Sequence, residues 1–175
     1  VVHPFSAHYY QVCYWLSAGG LRPNHDVELV IIPPSLMPSA LEEGHVDAFC
    51  AGEPWGSIAV GTCQASVLTT NAHIWRSSPE KVLGVSKKWA ATSPDALMRL
   101  VRAVYRAALW CDKPENAEAL SVLLSRPDYL AQPIDQLRPS LSRQLLLPDG
   151  PKTIPGFLSF AHRAATFPWV SHALW

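Results

Sequence analysis

Short runs of apolar, β-branched residues alternate with short helical segments through the first half of this chain. The run 27–32 is continuous and is closed by Pro33-Pro34, which is typical of a strand buried on both faces. Two further strands are predicted at 1–5 and 46–51, and two helices at 6–17 and 35–43, each followed by glycine. This order of strands and helices predicts an α/β fold with a parallel sheet and right-handed crossovers.

The second half is predicted to be mainly helical. Ser93-Pro94-Asp95 supplies an N-cap, a first-turn proline and a first-turn carboxylate. The following apolar stripe predicts a core face made of Leu97, Leu100, Val101, Val104, Ala108 and Cys111, with Trp89, Tyr105 and Trp110 also in the core. The other predicted elements are a helix or turn at 54–60, strands at 65–69 and 81–85, helices at 114–124, 132–145 and 155–165, and a loop at 145–154.

Charge and hydropathy argue against two classes of protein, nucleic-acid binders and membrane-spanning proteins. The 14 basic and 14 acidic residues leave no net charge, so no basic field favours direct nucleic-acid binding. No apolar run approaches the roughly 18 residues of a membrane span. The chain opens without Met or a signal peptide and ends in an aromatic-rich segment, which predicts that the natural chain continues.

Signals for catalysis or metal binding are weak. No HxxxH, GxSxG, Walker or GxGxxG pattern occurs, and the carboxylates of Asp47 and Glu53 have nothing that favours a paired-carboxylate hydrolase. The four cysteines form no CxxC pair, so they are predicted to be small buried side chains. We therefore predict no catalytic residue, no metal, no cofactor and no enzyme activity.

Three consecutive residues, Ser6-Ala7-His8, lie where the first strand hands over to the first helix. Backbone amides in a first helical turn point outward and carry partial positive charge, and an imidazole adds a donor. This arrangement is suited to an anion. The alternative is a histidine beside a capped helix with no ligand.

Lys81, Glu53 and Trp55 are further candidates for a binding site. Lys81 opens a predicted strand and could direct a point charge into a cleft, or it could be an exposed lysine paired with Glu80 or Asp47. Glu53 and Trp55 follow the third predicted strand, at the edge where open parallel sheets bind ligands. Trp55 could equally serve packing alone.

The order of several segments resembles the solute-binding proteins of nitrate and bicarbonate transport. The matching segments are 5–8, 14–20, 26–27, 33–34, 46–55, 74–84, 167–169 and 171–175. The likeness is greatest to a nitrate-sensor branch of that family. It implies a periplasmic-binding-protein-like, type II bilobed fold that closes on its anion. In that scheme residues 1–50 form the second lobe, residues 51–175 form the crossing segment and the helical returning part of the first lobe, and the N-terminal part of the first lobe is absent.

The resemblance also implies roles for residues. His8 and Lys81 are expected to contact the anion, with Ser6, Ala7, Glu53 and Trp55 completing the ligand-binding set. A positive residue at position 81 is similar to the nitrate type, whereas bicarbonate binders carry an acid there. The expected ligand is therefore nitrate or nitrite, to which cationic donors and oriented amides are suited.

Two biological roles are compatible with this resemblance. One is a bacterial nitrate sensor, cytoplasmic and partnered with an antiterminator regulator, which the free thiols and the likeness at 75–81 and 164–175 favour. The other is the binding component of an ABC uptake system, periplasmic or membrane-anchored and partnered with a permease. Alternatives outside both roles are a binder of an organic anion such as a sulfonate and an enzyme similar to the thiamin-precursor synthases.

Overall fold

The computed structural model describes residues 1–75, 82–147, 150–153, 158 and 160–161. Helices dominate this part of the chain. The α-helices are α1 (Ala7–Ala18), α2 (Met37–Glu42), α3 (Trp55–Thr62), α4 (Asn71–Ile74), α5 (Lys87–Thr92), α6 (Pro94–Cys111), α7 (Ala117–Leu124) and α8 (Ile134–Leu141). Strands β1 (Gln144–Leu147) and β2 (Gly150–Thr153) pair antiparallel, and short 3-10 turns cover Pro34–Leu36 and Pro114–Asn116.

The chain divides into two compact units. Residues 1–81 and 118–158 form the first, and residues 82–117 and 159–175 form the second. These two compact units need not coincide with the lobes of a bilobed protein. The predicted lobe boundary after residue 50 therefore stays a prediction.

Local signals set the ends of the first two helices, as predicted. Ser6 adopts an extended conformation and its side chain caps α1. Gly20, at φ 83°, follows α1 in the left-handed region, where the amide of Leu21 reaches the carbonyl of Leu16 at 3.0 Å. Gly44, at φ 73°, follows α2 in the same way. Both glycines allow a backbone conformation that other residues rarely adopt, so each helix ends where the sequence predicts.

The core of the first unit lies where α3 meets its neighbours. Helix α2 packs against α3, α3 packs against α8, and α8 packs against β1. The buried apolar side chains of these elements and of α7 are Met37, Ala40, Ile58, Ala59, Leu120, Leu137 and Leu145. Between α7 and α8, Arg138 donates to both carboxylate oxygens of Glu118, at 2.9 and 2.7 Å. Helix α3 also packs against β1, so it contacts three other elements of this unit.

In the second unit, the predicted core face of α6 is exposed. Helix α6 has the predicted bounds and packs against α5 and the turn Pro114–Asn116, yet none of its residues is buried. Leu100, Val101 and Val104 are exposed, and so are Trp89, Tyr105 and Trp110, which were expected in the core. An amphipathic helix buries its stripe only where another element covers it, and the packing elements described here cover little of this one. The four cysteines form no disulfide, and they are half-buried instead of fully buried.

The predicted parallel strands in the first half do not form a regular ladder. Residues 27–32, 46–51, 65–69 and the described part of 81–85 belong to neither a helix nor a regular strand. The terminal amine of Val1 donates to the Val30 carbonyl at 2.8 Å and the Ile32 amide donates to the Val1 carbonyl at 3.1 Å, and Pro23 and Val27 form an isolated parallel bridge. Ile31 is exposed, so this run is not covered on both faces as a buried parallel strand requires.

Other departures are local. The predicted loop at 145–154 contains most of strand β1 and all of β2, paired in the register Gln144 with Thr153 and Leu147 with Gly150. Helices α4 and α5 were not predicted. Ser93 precedes α6 but its side chain makes no capping hydrogen bond. The predicted helix at 155–165 falls largely outside the described residues.

Among the helices that are described, none is long and apolar enough to cross a bilayer.

Candidate functional site

The N-terminus of α1 is built by Ser6. Its hydroxyl accepts the amide of Tyr9 at 3.2 Å and donates to the carbonyl of His3 at 2.7 Å. One hydroxyl therefore satisfies an amide of the first turn and ties the helix to the chain that enters it. Ala7 and His8 occupy the first two helical positions, where backbone amides point beyond the helix end.

His8 is buried within this first turn, with only 7% of its surface exposed. A buried imidazole beside outward-pointing amides offers a donor in a partly dry environment, where a hydrogen bond to an anion is stronger than in water. The predicted group Ser6, Ala7 and His8 is thus contiguous in the structure. This group places the side chain of His8 beside the partial positive charge of the helix start.

Glu53 caps the start of α3 with its own carboxylate. Oε2 accepts the backbone amide of Ser57 at 3.3 Å, so the side chain folds back over the first turn of the helix. Burial raises the pKa of Glu53, and the hydroxyl and amide of Ser57 beside it offset part of that rise. A carboxylate of the chain itself therefore lies against the positive end of α3.

Gly56 and Ser57 complete this second helix start. A Cβ added to Gly56 would lie 2.9 Å from Oε1 of Glu53, so a larger residue there would require the end of the Glu53 side chain to shift. Ser57 is buried, and its hydroxyl reaches no partner at hydrogen-bonding geometry among the described residues. The sequence analysis missed both residues. The spacing of an acid four residues before a serine, with glycine between them, is the signal that could have found them.

The remaining predicted residues are placed as follows. Trp55 is half-buried in the first position of α3. Lys81 lies outside the described residues. The two helix starts belong to elements with different packing partners, since α1 packs against α4 whereas α3 packs against α2, α8 and β1. The structure thus groups Ser6 with His8, and Glu53 with Trp55, as two separate sets.

Charge elsewhere in the described chain is arranged in exposed pairs. Arg22 donates to both carboxylate oxygens of Asp26, and this hydrogen bonding lowers the pKa of Asp26 from 3.8 to about 2. Arg126 pairs with Asp128 in the same bidentate way. Residues 1–75, 82–147 and the other described positions contain no group of three or more His, Cys, Asp or Glu arranged to hold a metal ion.

One apolar depression lies at the opposite end of α1 from His8. It is lined by Trp15, Leu16, Ala18, Gly19 and Leu21 and has almost no polar surface. Such a lining offers no donor to an inorganic anion. The helix start at Ser6 to His8 is therefore the better candidate for anion binding on α1.

Comparison with known proteins identifies close relatives. The chain is 33% identical over its whole length to the nitrate/nitrite binding protein NrtA of Synechococcus elongatus, and it spans 40% of that protein. It is 36% identical over 79% of its length to the nitrate import ATP-binding protein NrtC of Synechocystis, spanning 21% of that protein. It is also 37% identical over 81% of its length to the bicarbonate transport ATP-binding protein CmpC of Synechococcus elongatus. The chain thus spans well under half the length of each of these relatives.

A solved structure confirms the predicted fold class. The periplasmic nitrate-binding protein NrtA from Synechocystis superposes on this chain with a TM-score of 0.79, at 29% identity, over 87% of this chain and 40% of that one. The chain therefore adopts part of a periplasmic-binding-protein fold, in the predicted α/β class. The profile of the NMT1-like family matches residues 1–125, and the chain belongs to that family.

Proposed function

We propose that this chain is part of a solute-binding component for nitrate or nitrite in an ABC uptake system. The observation that supports the proposal is the start of α1, where a serine cap, outward-pointing amides and the buried His8 lie next to one another. The 33% identity to a nitrate/nitrite binding protein over the whole chain supports it. Its ligand-binding set comprises Ser6, Ala7, His8, Glu53, Trp55 and Lys81.

The partner and location follow from the same proposal. The relatives named above are a binding protein and ATP-binding proteins of uptake systems, which favours a permease as partner over an antiterminator regulator. The solved relative is described as periplasmic, so we propose the periplasmic side of the membrane for this chain and set the cytoplasmic sensor second. An organic anion would need an apolar lining beside the donors, whereas the described apolar depression lies at the other end of α1.

Calorimetric titration of nitrate into the full chain, with bicarbonate as competitor, tests the ligand. We expect nitrate binding that bicarbonate does not displace, because Lys81 supplies a cation where bicarbonate binders carry an acid. No heat with nitrate would contradict the proposal. Displacement by bicarbonate at equal concentration would instead indicate a bicarbonate binder.

Replacing Lys81 with glutamate should remove most of the nitrate affinity. The change deletes a charge-assisted hydrogen bond and adds repulsion, for which we expect a loss of roughly tenfold to a hundredfold. Lys87→Glu, at an exposed lysine on α5, is the matched control and should bind like the parent. A Lys81→Glu loss below about 1 kcal/mol, less than one such hydrogen bond contributes, would place Lys81 outside the site.

Replacing His8 with alanine should weaken nitrate binding, and more strongly at pH 6 than at pH 8. An imidazole is protonated more often at the lower pH and then adds positive charge to the start of α1. His45→Ala changes an exposed histidine and serves as control. A His8→Ala protein with the parent's affinity from pH 5 to 8 would exclude this role.

A further inference from the structure

Two helix starts supply positive potential in the proposed site, but only one of them is open to an external anion. The N-terminus of a helix carries roughly half a unit of positive charge. At α1 the cap is a neutral hydroxyl, that of Ser6, so the charge of the helix start is not cancelled. At α3 the cap is the carboxylate of Glu53, which brings a full negative charge to the same kind of position.

The start of α3 is built to hold that carboxylate. Gly56 leaves the space that Oε1 occupies, because a Cβ there would lie at 2.9 Å from it. Ser57 donates its amide to Oε2 at 3.3 Å. Ser57 is buried, and its hydroxyl lies beside the same carboxylate and, together with the Ser57 amide, favours the charged form of Glu53.

We propose that Glu53 determines charge selectivity, admitting anions with one negative charge and excluding oxyanions with two. The inference rests on the proposed function, in which both helix starts line the site. Coulomb repulsion from one fixed carboxylate is twice as large for a dianion as for a monoanion at the same distance. An ionised carboxylate has no hydrogen to donate to an oxyanion, so Glu53 acts on the ligand through its charge.

The test compares nitrate with sulfate, a dianion that also presents a planar face of three oxygens. Titrations of both anions into the full chain at pH 8 and constant ionic strength give the ratio of the two dissociation constants. Glu53→Gln keeps the shape and the acceptor but removes the charge, and it should reduce the preference for nitrate at least tenfold. Glu53→Asp keeps the charge and should retain most of the preference, whereas Glu42→Gln, at an exposed carboxylate on α2, should leave the preference unchanged.

The outcomes separate this inference from the proposed function. An unchanged nitrate-to-sulfate ratio in a folded Glu53→Gln protein that still binds nitrate would overturn the selectivity role alone. A parent protein that binds neither anion would overturn the proposed function and this inference with it. Glu53→Ala, which also removes the charge, provides a second variant should Glu53→Gln fail to fold, and it should also reduce the preference.

Discussion

At the scale of single residues, the raised pKa of Glu53 lets us predict how the free energy of unfolding depends on pH. Burial raises its pKa above the ordinary value of 4.5, so the folded protein binds the proton more tightly than the unfolded chain. The contribution of this carboxyl to the free energy of unfolding is therefore highest below pH 4.5 and falls as pH rises through the raised pKa. We expect Glu53→Gln to gain stability relative to the parent between pH 4 and pH 8, measured by urea unfolding. A constant difference across that range would contradict this assignment.

Residues whose role depends on near neighbours in sequence were predictable. Ser6 was predicted as a cap because an N-cap bonds an amide three residues on, and its hydroxyl does accept from Tyr9. The role of Glu53 at the start of α3 was not, since it depends on the side chain folding back over the helix. The anion-binding roles of His8, Trp55 and Lys81 stay predictions.

At the scale of elements, the turn between α1 and the segment 27–32 contains a bidentate ion pair between Arg22 and Asp26. The Asp26 carboxylate accepts from the backbone amide of Arg22 at 2.8 Å as well as from its guanidinium, which lowers the pKa of Asp26 from 3.8 to about 2. The stabilisation from this pair is fully present above pH 3.8 and is lost as pH falls through about 2.

Asp26→Asn should therefore lower the urea midpoint at pH 6, and the gap to the parent should narrow as the pH falls toward 2. Asp47→Asn, at another exposed carboxylate, is the matched control and should leave the midpoint close to that of the parent at both pH values. Because the pair is exposed, added salt should shrink the effect at pH 6. A gap that widens on acidification would show that Asp26 stabilises the turn in another way.

Helices were predicted better than strands for a physical reason. The bonds and caps of α1 and α6 come from within each segment, so periodicity and terminal residues are sufficient to locate them. A strand is completed only by a neighbour, and in the described chain the run 27–32 has only isolated pairing, with Val1 and at the bridge between Pro23 and Val27. The stripe on α6 shows the same limit, because its periodicity was correct while its burial depended on a covering element.

At the scale of the whole molecule, burial is concentrated in one of the two units. Leu137 on α8 is fully buried where α8 packs against α3 and β1, and Leu145 on β1 is nearly so. Leu109 on α6, in the other unit, is 43% exposed. The packing energy of the described chain therefore resides mainly around α3 and α8, the elements that also hold the start of α3 in place.

Leu137→Ala and Leu109→Ala remove the same atoms from these two environments. At position 137 the loss of contacts leaves a cavity, and such substitutions cost about 2–5 kcal/mol. At position 109 water already reaches the side chain, so we expect a cost below about 1 kcal/mol. Urea unfolding followed by tryptophan fluorescence measures both. Equal losses of unfolding free energy in the two variants would contradict a core around Leu137. The expected difference would support a core in which α8 packs against α3.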